Sequence, residues 1–318
     1  MRSGSSIVWF AAAAAAAAGQ AQAPSAESPR VVVLGTVQDG GLPHAGCNGR
    51  HCSRARRDPA RARRVASLAL HLPRSGRTYL VDATPDLPQQ IAEVHAFRKH
   101  PPGRTDRTPF DGVFLTHAHI GHYLGLAHFG YEVLNTRGLP VFCSPRMAAL
   151  LRTSAPWSLL VERRNLELRE VQPGTPLELG EGVSVTPLAV PHRDELSDTL
   201  AFRIRGPRRS LLYVPDTDSW EAWKRPLLEV LRNVDVAVLD ATFYSLEELP
   251  GRDVSRIGHP LVTESMRLLD ALVRKGRLEV YFTHLNHSNP ALDEDGPQRR
   301  AIETRGFHVL DETDEFEL

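Results

Sequence analysis

"LTHAHIGHYLGL", residues 115–126, decides how the rest of this chain is read. The apolar run "GVFLT" (112–116) stops, and imidazoles follow at His117, His119 and His122 before a helical pattern begins. With 14 histidines in 318 residues, a set at offsets i, i+2 and i+5 arises by chance roughly 0.03 times. A core has no use for polar rings crowded in this way. A metal ion does, because neutral imidazole nitrogen is a ligand for zinc and related cations. The tip of a strand is also where layered α/β folds keep their ligands.

A zinc-type site takes four ligands, so the cluster needs help from elsewhere in the chain. Other strand-like runs end on suitable groups: "LAVPHRDE" on His192, "LLYVPDTDSW" on Asp216, and "YFTHLNHSNP" on His284 with His287 three residues later. The expected strands are 31–35, 65–72, 78–83, 112–116, 139–144, 183–190, 199–205, 210–216, 234–240, 278–284 and 307–311. Helical patterns cover 86–97, 122–135, 145–152, 220–232, 261–275 and 293–304. Near-continuous apolar strands read as covered on both faces, and alternating ones such as "TLAFRIR" as antiparallel outer strands. Together they predict an α/β fold, a four-layer αββα sandwich.

The N-terminus stands apart. Residues 1–21 carry Arg2, an apolar stretch from Ile7 to Ala18 and then small residues. The stretch is too short to span a bilayer and reads as a secretory signal cut after Ala21. Residues 22–30 read as a linker and 31–318 as one domain, periplasmic or secreted, with no membrane span in the mature chain. Lys+Arg and Asp+Glu both number 38, so nothing suggests a nucleic-acid binder, which needs a basic excess. The basic run "RARRDPARARR" (54–64) reads as a solvated loop or a local anion patch.

The spacing of these residues resembles the metallo-β-lactamase superfamily, whose motif is His-x-His-x-Asp-His after a strand, then a later His, a bridging Asp and a final His. The resemblance covers nearly all of the mature chain. It implies that His117, His119 and His192 hold a first metal, that Asp216 bridges, and that His122 and His284 hold a second. Asp82, in "YLVDATPD", matches an early strand-end Asp that braces the histidine loop. The departure is Gly121, which stands where the superfamily carries Asp. It implies either a weakened second site or a single metal with open positions.

Four further stretches resemble one branch, the pyrroloquinoline quinone biosynthesis protein B (PqqB) family: "GTVQDGGLPHAGCNGRHC" (35–52), "VDATPDL" (81–87), "IGHP" (257–260) and "THLNHSNPALDEDGP" (283–297). The chain reads as an exported relative that keeps its histidines. In "PHAGCNGRHC", His44, Cys47, His51 and Cys52 form a candidate structural zinc site, with a Cys47–Cys52 disulfide as the rival. "QDGG" (38–41) reads as a turn, or as a substrate-facing rim carrying Asp39. Cys143 reads as a buried small hydrophobe.

The leading expectation is hydrolysis of a small-molecule or peptide-derived substrate with one or two Zn2+ ions, Asp216 orienting water and His259 or His287 donating a proton. The first alternative is Fe2+ in the same site, hydroxylating a quinone precursor or similar aromatic. The second is a non-enzymatic carrier of a redox cofactor. Mass spectrometry of exported protein is expected to find Gln22 as its first residue; an intact 1–21 segment would reject the leader.

Overall fold

Strands buried on both faces need two cores, one on each side, and the computed structural model supplies them. It describes residues 1, 28–98, 105–249, 251–253, 257–312 and 314–318. The expected leader beyond residue 1 and most of the linker lie outside these, and Arg30 already begins the first strand.

Among the described residues, fourteen strands make two seven-stranded sheets. The first contains β1 (Arg30–Gly35), β2 (Ser67–Leu72), β3 (Arg77–Val81), β4 (Gly112–Phe114), β5 (Leu139–Cys143), β6 (Leu166–Glu170) and β14 (Glu315–Glu317), in the order β14-β1-β2-β3-β4-β5-β6. The second runs β13-β12-β11-β10-β9-β8-β7. Its members are β7 (Leu177–Gly180), β8 (Val183–Val190), β9 (Thr199–Arg205), β10 (Ser210–Val214), β11 (Val236–Asp240), β12 (Glu279–Thr283) and β13 (His308–Val309). Each sheet is mixed: β3 through β6 are parallel in one and β10 through β13 in the other, and the remaining pairs are antiparallel.

Alternate residues of one strand serve different layers. Leu211 and Tyr213 of β10 face the layer between the sheets, where Phe114 and Phe202 meet edge-on at 5.5 Å between centroids. Leu212 and Val214 face the outer layer. There α6 (Leu227–Val230), α7 (Val262–Arg274) and α8 (Pro297–Thr304) cover the second sheet. On the first sheet α2 (Leu87–Phe97), α4 (Pro145–Thr153) and α5 (Trp157–Glu162) do the same. This is the αββα sandwich expected from the strand pattern.

Several local expectations change. The predicted helix 122–135 is one turn, α3 (Ile120–Tyr123), followed by a 3₁₀ segment from Leu124 to Phe129. Gly125 is the reason: a Cβ there would lie 2.2 Å from the Thr84 carbonyl oxygen, and its N–H donates to Ala83 O at 2.9 Å. The segment is pulled against the loop after β3 instead of continuing as a helix. The pattern at 220–232 shrinks to α6, because Pro226 admits a helix only after it. The basic run is no free loop. Arg50–Arg57 is α1, Arg50 and Arg54 pair with Asp293, Arg63 with Glu294, and Arg64 with Glu312. Strands β6, β7 and β14 and helix α5 are additional to those read from the sequence. No helix among the described residues is long and apolar enough to cross a membrane.

Phe202→Ala removes a fully buried ring between the sheets. It is expected to cost about 3–5 kcal/mol, read as a lower denaturant midpoint at unchanged slope.

Candidate metal centre

The parallel strands of both sheets end at the same edge of the sandwich, and the loops beyond them carry the polar groups. Asp82 follows β3, β4 leads into His117, β10 into Asp216 and β12 into His284, and β11 ends at Asp240; β8, paired antiparallel, leads into His192. Asp82 and His284 both have positive φ, 65° and 60°. That backbone is strained for a non-glycine residue, and it marks where the chain turns out of the sheet to present a side chain.

His117, His119, His192 and Asp216 each place one ligand atom within 4.8 Å of all the others. His117 Nε2 lies 2.9 Å from His119 Nδ1 and 3.3 Å from Asp216 Oδ2. His192 Nε2 lies 3.1 Å from both His119 Nδ1 and Asp216 Oδ2. On the other side of Asp216 stand His122 and His284, whose Nε2 atoms are 3.9 and 4.0 Å from its Oδ2. The six histidine and aspartate residues expected from dispersed parts of the chain therefore converge on one point.

The remaining ring nitrogens are held from behind. Asp82 accepts from His122 Nδ1 at 2.8 Å and from Thr116 N and Oγ1 at 2.8 and 3.0 Å. Asp218 meets His192 Nδ1 at 3.0 Å, and Thr242 Oγ1 meets His284 Nδ1 at 3.0 Å. Such contacts fix which nitrogen of each ring faces inward.

Two residues that the sequence reading did not place here complete the centre. Asp39, from the loop after β1, puts Oδ1 3.4 Å from His122 Nε2 and 3.7 Å from His284 Nε2. Asp240, fully buried, accepts from His259 Nδ1 at 2.9 Å and from Thr217 N and Thr242 N at 3.0 and 2.9 Å. Asp240 closes an apolar strand, the same signal that marks Asp216; Asp39 has none beyond the "QDGG" turn.

The donor atoms fit a cation. His122 Nε2, His284 Nε2 and Asp39 Oδ1 are buried yet make no hydrogen bond, an arrangement proteins avoid unless something else satisfies the group. Burial acts on His117 first, holding its pKa well below the ordinary value, with His122 adding to this. Burial thus favours the uncharged ring, the form in which histidine binds a metal. Burial opposes charge on Asp216 as well, but the surrounding histidines outweigh it and keep the carboxylate well below its usual range. His259 is buried too, yet Asp240 and Asp216 raise it to about 9.

The candidate structural site is differently composed from the one expected. Cys47, Cys52 and His287 bring their ligand atoms within 4.8 Å of one another. His287 Nδ1 lies 3.4 Å from Cys47 Sγ, so this ring stands with the thiols and not with the proposed proton donors. His44 stacks at an angle on His287, 4.5 Å between centroids, but neither it nor His51 belongs to the group. His51 precedes Cys52 on α1, and neighbouring helix residues point in different directions. Cys47 and Cys52 are free thiols, not a disulfide, and Cys143 is buried.

Residues 77–285 match the model of the β-lactamase superfamily domain. The chain belongs to the β-lactamase superfamily. Within it, coenzyme PQQ synthesis protein B of Rhizobium meliloti (strain 1021) is 28% identical over 310 residues, covering 88% of this chain and 95% of that protein. The same protein of Klebsiella pneumoniae (strain 342) is 27% identical over 306 residues, with 88% and 95% covered. Among solved structures, Zn2+-bound PqqB from Methylobacterium extorquens aligns with a TM-score of 0.76 at 23% identity, covering 91% of this chain and all of that one. A diphosphatase of the PhnP family aligns at 0.64 and 21%, covering 91% and 98%. The likeness to these two structures is one of fold.

Asp82→Ala leaves His122 Nδ1 and Thr116 without their acceptor. It is expected to weaken metal uptake roughly 10–100-fold, measured by titration with Zn2+ followed by elemental analysis.

Proposed function

We propose that this protein is an exported, zinc-dependent hydrolase that acts on a small or peptide-derived substrate in the supply of a pyrroloquinoline quinone-type cofactor. The cofactor assignment rests on the relatives named coenzyme PQQ synthesis protein B, and the export on the apolar leader.

The observation that carries hydrolysis is the His259–Asp240 pair beside the cluster. Asp240, Asp216 and Thr242 all engage His259 Nδ1, at 2.9, 3.3 and 3.1 Å. The other ring nitrogen is left to meet a substrate, and a buried carboxylate behind the ring favours its protonated form. A general acid held against a ligand cluster suits the departure of an alkoxide or amine.

His117, His119, His192 and Asp216 would hold one ion, with His122 and His284 turned towards a second. A bound Zn2+ supplies Lewis acidity and lowers the pKa of water towards neutrality. Asp216 accepts a hydrogen bond from the attacking water and fixes its direction. His259 passes its proton to the leaving group, and Asp240 holds the ring in place during the transfer. Arg193, whose guanidinium reaches within 3.5 Å of His119 Nδ1, favours an anionic substrate such as a phosphodiester or a carboxylate-bearing lactone or amide. Cys47, Cys52 and His287 would hold a further zinc that ties the loop after β1 to the loop after β12.

The test joins metal analysis to a panel of p-nitrophenyl phosphodiesters, lactones and amides. Zinc-loaded protein is expected to turn over at least one class, to lose that activity to a chelator and to regain it with Zn2+. His259→Asn is expected to lower kcat roughly 10²–10⁴-fold while metal content stays constant. Iron in the purified protein, with a visible absorbance that dithionite bleaches, and no hydrolysis of any class, would replace this reading with oxidation.

A further inference from the structure

Gly121 lies between His119 and His122 in the sequence, and its bareness has a structural cause on the opposite loop. A Cβ built at 121 would fall 2.1 Å from Asp39 Oδ1 and 2.7 Å from both Asp39 Cγ and Asp39 Cα. The last of these is backbone, so the clash cannot be relieved by turning a side chain. Residue 121 and Asp39 compete for one volume, and Asp39 holds it.

What Asp39 does with that position follows from its neighbours. His122 and His284 have their Nδ1 atoms occupied by Asp82 and Thr242, at 2.8 and 3.0 Å, so each presents Nε2 to the centre. Asp39 Oδ1 lies 3.4 and 3.7 Å from those two nitrogens. All three atoms are buried without a hydrogen bond. Ligand atoms bonded to one tetrahedral zinc at about 2.0–2.1 Å stand about 3.4 Å apart, close to the spacing seen here. Asp39, His122 and His284 bring their ligand atoms within 4.8 Å of one another, a group of three to which Asp216 does not belong.

The loop that carries Asp39 is built to hold it there. Val37 bridges to Val65 and to Leu285. Gln38 N donates to Leu285 O at 3.1 Å, and Leu285 N donates to Thr36 O at 3.2 Å. Leu285 follows His284 directly, so the carboxylate and one of its imidazole partners are fastened by the same backbone ladder.

We propose that Asp39 is the carboxylate ligand of a second metal position with His122 and His284, and that residue 121 is glycine because Asp39 reaches in across its face. The proposal rests on the metal-centre reading above and adds to it the carboxylate of a second site, supplied from the other side of the centre.

The test counts ions. A Cys47→Ser/Cys52→Ser form, which removes the thiol group from the tally, is stripped with chelator, titrated with Zn2+ and measured by calorimetry and elemental analysis. Two ions per chain are expected. Asp39→Asn, nearly identical in shape, is expected to keep one ion and to bind the second at least roughly 100-fold more weakly, with unchanged circular dichroism. If this double variant folds poorly, the same comparison with the thiols intact is expected to show a loss of one ion on Asp39→Asn. Two ions bound with unchanged affinity by Asp39→Asn would overturn the proposal and leave hydrolysis standing. A single ion in the parent, lost on His117→Ala, would do the same. No ion at all in the parent would remove both readings.

Discussion

A carboxylate cannot stay charged in a dry interior unless positive charge is brought to it. Asp216 is only 3% exposed, and its Oδ2 has five imidazoles around it at 3.1 to 4.0 Å: His117, His119, His122, His192 and His284. Rings alone make a poor counterion, since burial favours their neutral form and they crowd one another. A dication among them resolves the conflict, because it lets the carboxylate stay charged and the imidazoles stay neutral. The rest of the site can be understood as an arrangement that keeps these groups pointed at one place.

The fold provides that arrangement by symmetry of construction. Each sheet has a parallel half, β3 to β6 in one and β10 to β13 in the other, and parallel strands release their loops at a common edge. The inner core, with Phe114 against Phe202 and Tyr213 fully buried, locks the two sheets face to face. The edges then meet, and loops separated by more than a hundred residues share one volume. Packing of this density transmits position well. The strained backbone at Asp82 and His284, worth of order 1–3 kcal/mol each, is stabilised by the hydrogen bonds that Asp82 and Thr242 make at the centre.

A layer of supporting groups separates this centre from a chance cluster of histidines. Asp82, Asp218, Thr242 and Asp240 each meet the ring nitrogen of a histidine at the centre. They fix the tautomer and direction of His122, His192, His284 and His259 in turn. The Cys47, Cys52 and His287 group does the same work at larger scale, joining the loop that bears Asp39 to the loop that bears His284.

How much of this was legible in the sequence depends on the range of the interaction. The strand-end residues His117, His119, His122, His192, Asp216 and His284 could be picked out because each follows an apolar run, and such runs are local. Helices with a clear apolar face, such as α2 and α7, were legible for the same reason. The short α3, the missing helix after it, and strands β6, β7 and β14 were not, because partners distant in the sequence determine them: the Thr84 carbonyl against Gly125, and sheet edges for the strands. The misplacement of His51 and His287 has the same origin, since proximity in the sequence stood in for proximity in space. The chain by itself determined the kind of chemistry, by choosing imidazole and carboxylate and setting them at the ends of strands. Only the tertiary structure decided which groups meet, above all that Asp39 fills the space beside Gly121, because two atoms cannot share one volume and no local pattern records which of them arrives there.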